Sequence, residues 1–210
     1  MKNIFTLALT LSLFTSIKAQ TQIEITPSAG YLLNGRIQFT EGVIDIENQP
    51  SFGITIGKDI NNSRGFELDY TWASKTDLEF ESNFPLLYSD FRTRVDIHNI
   101  SLSYVNYFVK DSQLRPFLNV GAGASIFNVE SGDIETRLSF NLGLGLKYDI
   151  NHRLGIKIQA RYMAPVLFEG AGIYAGIGTG GSSAGLSLNA SIPMSQLDFR
   201  GGIIFKLGNY

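Results

Sequence analysis

The sequence predicts an all-β fold, an eight-stranded antiparallel up-and-down transmembrane β-barrel with short periplasmic turns and long extracellular loops. Three observations predict it. Beyond residue 20, segments of about ten residues alternate large apolar side chains with small or polar ones, as two-faced strands do. There are eight such segments, an even number that can close a barrel. The connections between them alternate between short and long along the chain.

The amino terminus has the features of a secretory signal peptide. Lys2 supplies a positive charge, an uncharged and largely apolar run follows over residues 4–17, and Ala19 precedes Gln20 as at a cleavage site. The run is shorter than the ~20 residues that a membrane-spanning helix needs. We therefore expect export and cleavage after Ala19. The chain then divides into a signal peptide, residues 1–19, and a barrel domain, residues 20–210.

The first four segments each place bulky apolar residues on one face. In the third, every second residue from Phe66 to Trp72 is large and apolar, and the residues between them include Glu67 and Asp69. Such strict alternation is typical of a strand with one apolar and one polar face. The four segments comprise residues 23–34, residues 51–59, a stretch from residue 65 and a stretch ending near residue 109.

The fourth segment departs from this alternation. Val95 and Ile97 occupy odd positions, whereas the apolar residues from Ile100 to Tyr104 occupy even positions. Because one extra residue reverses the faces of a strand, we expect a β-bulge around residues 97–99.

The last four segments follow the same rule, with glycine and serine prominent on the smaller face. In the sixth, bulky residues recur from Leu138 to Tyr148, and Gly143, Gly145 and Lys147 lie between them. The four segments comprise residues 115–127, 136–149, 153–163 and 195–208.

The two faces distinguish a membrane barrel from a soluble one. A soluble barrel turns its apolar face inward and its charges to water. Here the bulky face is uniform and suits lipid, while the other combines glycine, serine and spaced charges, as in a narrow polar interior. Closure of the sheet is then required, because open edges cannot exist in hydrocarbon. An exported soluble carrier of lipocalin type is an alternative, and it requires an apolar interior.

The connections and aromatic residues give the predicted barrel an orientation. Short connections belong on the periplasmic side of bacterial barrels and long ones outside. The short connections cover residues 61–64, 110–114 and 150–152, and the long ones cover 35–50, about 82–90, 128–135 and 164–194. Aromatic residues expected at the outer interface are Tyr31, Phe52, Trp72 and Tyr162, and those at the inner interface are Phe108 and Tyr148.

Charged residues on the small face form the main candidate constellation. They are the acidic residues Glu24, Glu67, Asp69 and Asp198 and the basic residues Arg137, Lys147, Lys157, Arg161, Arg200 and Lys206. An eight-stranded barrel has room only for side chains, so we favour a structural salt-bridge network over a selectivity filter or proton path. Strand order and height predict the pairs Asp198–Arg161 and Glu24–Lys206, and bring Glu67 or Asp69 to Lys157 or Arg161.

Three stretches resemble a known family: residues 115–123, 142–148 and 201–207. On these, the mature chain resembles the small eight-stranded outer-membrane β-barrel proteins of Bacteroidota, the outer membrane protein β-barrel domain group that includes PorT-like chains. More distantly it is similar to the OmpX and opacity barrels. The resemblance implies location in the outer membrane, contact with its lipid and lipopolysaccharide, and recognition of a last strand containing Phe205 by the outer-membrane assembly machinery.

Motifs that carry catalysis or cofactors are weak in this chain. The glycines from Gly176 to Gly181 match a dinucleotide-binding spacing but lack a strand–helix context, so we interpret them as an external loop. His98 and Ser101 invite comparison with outer-membrane lipid hydrolases of deacylase type, yet three residues along a strand place them on opposite faces. With two histidines and no cysteine, we expect no catalytic residues, cofactor or metal site.

Composition and loops leave a surface role as the main functional hypothesis. A formal net charge of −2 provides no basic field for nucleic acid. The strand pattern continues beyond Trp72, which predicts a hairpin that projects above the membrane. Apolar residues at its tip are candidates for contact with a protein or matrix partner: Phe84, Leu86, Leu87 and Tyr88. We therefore expect a non-enzymatic structural or surface-interaction protein, with the lipid hydrolase and the soluble carrier as alternatives.

Overall fold

A computed structural model describes residues 22–35, 37–38, 42–61, 63–82, 91–130, 134–178, 181–191 and 195–208. They form eleven strands: β1 Ile23–Asn34, β2 Ile37–Gln38, β3 Gly42–Ile46, β4 Gln49–Asn61, β5 Arg64–Ser82, β6 Phe91–Tyr107, β7 Leu114–Val129, β8 Ile134–Asp149, β9 Leu154–Gly178, β10 Gly181–Ser191 and β11 Gln196–Leu207. In the described part of the chain, no helix is long and apolar enough to cross a membrane.

Eight of these strands close into a barrel. Each pairs antiparallel with the next in the order β1, β4, β5, β6, β7, β8, β9 and β11, and β11 pairs back onto β1. All eight predicted segments correspond to barrel strands, so the predicted fold is confirmed. Closure satisfies the backbone groups of every strand within the wall, as a membrane requires.

Connections at the two ends of the barrel are built differently. At one end, β4 ends at Asn61 and β5 begins at Arg64, and residues 108–113 and 150–153 form the other two short connections. At the other end several strands continue past the barrel. β3 pairs with the upper part of β5, β2 pairs with β3, and β9 extends into a hairpin with β10. The connections over 35–50 and 164–194 are thus partly strand, because paired backbone is stable in water as well as in lipid.

Bulky residues face outward along the barrel wall. Phe66, Leu68, Tyr70 and Trp72 on β5 are all exposed, whereas Glu67 and Asp69 are buried. The same division holds for most residues of the other barrel strands, and the interface aromatics are exposed as well: Tyr31, Phe52, Trp72, Tyr162, Phe108 and Tyr148. The apolar exterior and polar interior exclude the lipocalin-type alternative, which needs the reverse arrangement.

The predicted bulge in the fourth segment is wrong. β6 pairs with β7 without interruption from Val95 to Tyr107, and the irregularity in pairing at this height lies in β5 instead, between Ala73 and Thr76. Val95 and Ile97 point into the barrel and are completely buried, so the strand keeps its phase. The reversal in the pattern arises because the interior itself becomes apolar at this height.

An apolar layer fills the barrel beneath its long-loop end. One of its members, Ile46, comes from β3 outside the barrel strands, so the first long connection folds over the lumen. The layer covers the charged interior from the extracellular side. Its buried residues are Leu32, Ile46, Ala73, Val95, Ile97, Phe127 and Met163.

Candidate functional site

Below the apolar layer, Arg161 occupies the centre of the barrel. Its Nη1 lies 2.6 Å from Asp69 Oδ1, and its Nη2 donates to Thr71 Oγ1 at 2.7 Å and to Asp198 Oδ2 at 3.4 Å. These contacts join β9 to β5 on the opposite wall and to the adjacent β11. Arg161 is 1% exposed, so its charge is neutralised by these partners rather than by water.

Arg200 joins Arg161, Asp69 and Asp198 to form the upper group of the interior network. Its Nε donates to Asp198 Oδ2 at 2.6 Å, its Nη1 donates to Asp69 Oδ2 at 3.0 Å, and its Nη2 also contacts Thr71. Asp198 accepts a further bond from Ser51 at 3.1 Å. Two guanidinium groups and two carboxylates thus pair with one another, and their opposite charges balance inside the barrel.

The next layer toward the periplasm contains a single ion pair. Lys157 Nζ lies 2.6 Å from Glu67 Oε1 and 2.7 Å from Oε2 across the lumen. The same ammonium is 4.9 Å from the centroid of the Phe117 ring, a distance suited to cation–π attraction.

The periplasmic end contains a larger cluster. Lys147 Nζ donates to Glu24 Oε1 at 2.6 Å and to Asp59 Oδ2 at 3.2 Å. The Tyr107 hydroxyl donates to Asp59 Oδ1 at 2.9 Å, while its ring lies 5.3 Å from Lys147 Nζ. Four different strands are tied together by these contacts, at the end where the tight turns lie.

Arg115 and Lys206 extend this cluster to the mouth of the barrel. Arg115 donates to Asp59 at 3.1 Å and to Asp149 at 3.2 Å, and its guanidinium carbon lies 4.5 Å from the centroid of the Tyr107 ring. Lys206 Nζ is 2.8 Å from Asp149 Oδ1. Asp59 and Asp149 remain partly exposed, so solvent reaches the network from this side.

The described interior network is electrically balanced. Its six carboxylates face six basic groups, and every pairing crosses from one strand to another or links residues two apart. The carboxylates belong to Glu24, Asp59, Glu67, Asp69, Asp149 and Asp198, and the bases are Arg115, Lys147, Lys157, Arg161, Arg200 and Lys206. Balance of this kind is needed because an unpaired ion in a narrow lumen is costly.

The structure brings together most of the charged residues singled out in the sequence. Asp198 meets Arg161, and Glu67 and Asp69 meet Lys157 and Arg161 through the lumen. The expected pair Glu24–Lys206 is wrong. Glu24 binds Lys147 from across the barrel, and Lys206 binds Asp149, although Glu24 and Lys206 are register partners. A long lysine side chain can thus pair with a carboxylate other than the one beside it in the sheet.

Sequence reasoning missed three members of the network and misplaced one. Asp59, Arg115 and Asp149 lie at strand ends, yet each shares parity with the small face of its own strand, and that signal could have identified them. Arg137 lies near the extracellular end instead, where it donates to Glu135 at 2.6 Å and lies over the Phe127 ring. The tip residues Phe84, Leu86, Leu87 and Tyr88 lie outside the described residues.

The weak catalytic motifs do not assemble into a site. His98 faces outward, where its Nδ1 lies 2.9 Å from the Tyr70 hydroxyl and the two rings stack, whereas Ser101 is buried inside the barrel. Gly176 and Gly178 lie in the β9–β10 hairpin, a strand rather than the predicted loop. Among the described residues, no group of three or more acidic, histidine or cysteine side chains could hold a metal ion.

Comparison with known families agrees with this architecture. The family model of the outer membrane protein beta-barrel domain matches residues 5–189. This chain belongs to that family. It is therefore an integral outer-membrane β-barrel, with its apolar wall in the lipid and its charged network in the interior.

Solved structures share the fold of this outer-membrane β-barrel at low sequence identity. The outer membrane protein OprG of Pseudomonas aeruginosa is 12% identical with a TM-score of 0.59, covering 90% of this chain and 96% of that one. Neisserial surface protein A is 16% identical, with a TM-score of 0.54 over 90% and 98%. AlkL, solved in lipid bilayers, is 13% identical, with a TM-score of 0.53 over 90% and 92%. No curated protein matches the sequence.

Proposed function

We propose that this outer-membrane β-barrel is a non-enzymatic surface protein that contacts a protein, a matrix component or lipopolysaccharide through its extracellular strands. The observation that carries this proposal is the paired sheet beyond the barrel, where β2, β3, β5 and β6 continue together. Its closer relation to PorT-like chains of Bacteroidota stays a prediction.

The filled lumen argues against a transport role. The apolar layer lies above three levels of ion pairs, and the charged groups bind one another rather than lining an open path. A permeant ion would have to displace buried pairs, and breaking one such pair costs several kcal/mol. The interior therefore serves to hold the wall together.

The position of His98 argues against the lipid-hydrolase alternative. A hydrolase of this kind needs its base within hydrogen-bond reach of a nucleophile. Here the base contacts the Tyr70 phenol on the outer wall, while Ser101 lies on the inner face. The backbone separates the two groups, so no proton can pass directly between them.

The extracellular sheet provides a rigid support for a contact surface. β3 adds to β5 over five residue pairs, from Gly42–Ser82 to Ile46–Leu78, and the Glu47 amide donates to the Asp77 carbonyl at 3.0 Å. β5 and β6 remain paired up to Phe80 and Phe91. A sheet of several strands is more stable than an isolated hairpin, so β2, β3 and the parts of β5 and β6 beyond the barrel support one another.

Binding by reconstituted protein tests the proposal. Proteoliposomes are assayed on immobilised lipopolysaccharide and on collagen and fibronectin, using the full chain and a variant with Phe84, Leu86, Leu87 and Tyr88 replaced by serine. We expect the full chain to bind at least one of these immobilised materials, and the tip variant to lose that binding. A matched control replaces exposed apolar residues in the periplasmic turns, Val109→Ser with Ile150→Ser, and should bind normally.

Two results would overturn the proposal. One is equal binding by the tip variant and the full chain, or no binding by either, with both barrels folded by heat-modifiable gel mobility. The other is hydrolysis of phospholipid or lipid A that disappears in His98→Ala, which would establish the enzymatic alternative.

A further inference from the structure

The lipid-facing wall carries a groove across β8, β9 and β11. Its volume is about 640 Å³ and its lining is almost entirely apolar. Bulky exposed side chains form its sides, and two small residues, Ala160 and Gly201, lie between them. The bulky residues are Leu144, Leu146, Ile158 and Phe199.

The groove follows from two neighbouring rungs of the sheet. On one rung Leu144 pairs with Ala160, which pairs with Phe199; on the next, Leu146 pairs with Ile158, which pairs with Gly201. One bulky side chain is missing from each rung, so backbone forms the floor. A Cβ added at Gly201 would meet its nearest atom, in Ile158, only at 3.8 Å, so the space over Gly201 is open.

The depth of the groove in the membrane follows from β8. Tyr148 is an exposed aromatic residue at the end where the tight turns lie. Leu146 and Leu144 lie two and four residues above it, or roughly 7 and 13 Å along the strand. The apolar band of such barrels is about 25 Å tall. On β8 the groove therefore lies in the periplasmic half of the hydrocarbon layer.

We propose that this groove binds one acyl chain of a phospholipid from the periplasmic leaflet. The groove is continuous with the lipid-facing wall, so hydrocarbon rather than water covers it. A chain seated between Leu144, Ile158 and Phe199 gains contacts on several sides, whereas a chain against a uniformly bulky wall is contacted on one side. In lipid such van der Waals packing is a main source of preference, because no apolar area is withdrawn from water.

Photolabelling with phosphatidylethanolamine that carries a diazirine in mid-chain tests the proposal. The full chain is reconstituted in bilayers, irradiated, digested and examined by mass spectrometry. We expect excess label on β8, β9 and β11 relative to β4 and β5, where the rungs Ile54–Tyr70 and Ile56–Leu68 leave no such gap. Filling the groove with Ala160→Leu and Gly201→Leu should abolish that excess, whereas the matched control Leu68→Phe, on the lipid-facing wall of β5, should leave it unchanged.

A second variant covers the case in which the filled barrel does not fold. Leu144→Ala enlarges the groove and should raise the label on β9 and β11. Uniform label around the wall, or label that persists in the folded double variant, would overturn the proposal. The proposal would also be overturned if, in a bilayer containing lipopolysaccharide, the excess label on β8, β9 and β11 came from lipid A chains and not from phosphatidylethanolamine.

Cysteine crosslinking separates lipid from a protein occupant. The chain has no cysteine, so Gly201→Cys introduces a single thiol in the groove. We expect this variant to remain monomeric under oxidation in the bilayer. A disulfide-linked dimer would assign the groove to a second copy of the chain and would refute lipid binding there.

Discussion

Replacing Arg161 by alanine tests whether the interior network stabilises the barrel. The side chain is completely buried and contacts Asp69, Thr71 and Asp198. Without it, two buried carboxylates share the single guanidinium of Arg200. The upper group then carries an uncompensated negative charge in a narrow lumen.

The expected loss of stability is large by this reasoning. Removing one partner of a buried pair typically costs about 3–5 kcal/mol, because the remaining charge is left unpaired. The control is Arg94→Ala in the extracellular β5–β6 hairpin, where Arg94 Nε lies 3.6 Å from Asp77 and both side chains are more than half exposed. A pair of that kind is worth about 0–1 kcal/mol.

Urea unfolding in micelles measures both effects, with the fluorescence of the single tryptophan, Trp72, as the signal. A double variant, Arg161→Met with Asp69→Asn, restores charge balance. Its loss should be smaller than the summed losses of the single variants Arg161→Met and Asp69→Asn by about 0.5–3 kcal/mol, the coupling expected for contacting residues. Equal, sub-kcal losses for Arg161→Ala and Arg94→Ala, or strict additivity in the double variant, would mean that the interior is hydrated.

Four further outcomes are expected. Brominated lipid should quench Trp72, which faces outward beside Phe52, and quenching by aqueous iodide alone would contradict that position. The reconstituted barrel should give no stepwise conductance in planar bilayers, since its lumen is filled; regular open-channel steps would refute this. Gly123→Val should prevent folding, as judged by heat-modifiable mobility, because a Cβ there overlaps backbone of β6, whereas Gly201→Ala should fold. Mass spectrometry of the membrane-inserted protein should find Gln20 first, and retained residues 1–19 would exclude cleavage.

Much of the fold could be predicted because it depends on local pattern. The alternation from Phe66 to Trp72 assigns each residue to a face whatever lies across the barrel, since side chains of a strand alternate by geometry alone. Eight such segments with alternating connections then leave few ways to bury the backbone in lipid. Parity also assigned Glu67 and Asp69 correctly to the interior face.

The alternating pattern gave a wrong prediction where the interior of the barrel changes from polar to apolar along the barrel axis. Val95 and Ile97 suggested a bulge because a polar interior was assumed throughout, yet they face an apolar layer. Part of that layer is Ile46 from β3, a segment treated as loop. Whether such apolar residues point into the lumen or toward lipid depends on which side chains fill the lumen beside them. That is a property of the assembled barrel.

Strand number, the two faces and membrane insertion are therefore determined by the sequence itself, because they follow from a two-residue period and the cost of unpaired backbone in lipid. Only the tertiary structure decides which charges meet. Lys147 reaches Glu24 from more than a hundred residues away, and Lys206 turns to Asp149 instead of its register partner. Such choices depend on the stagger of strands around the closed wall and on the reach of long side chains across the lumen, which no local pattern encodes.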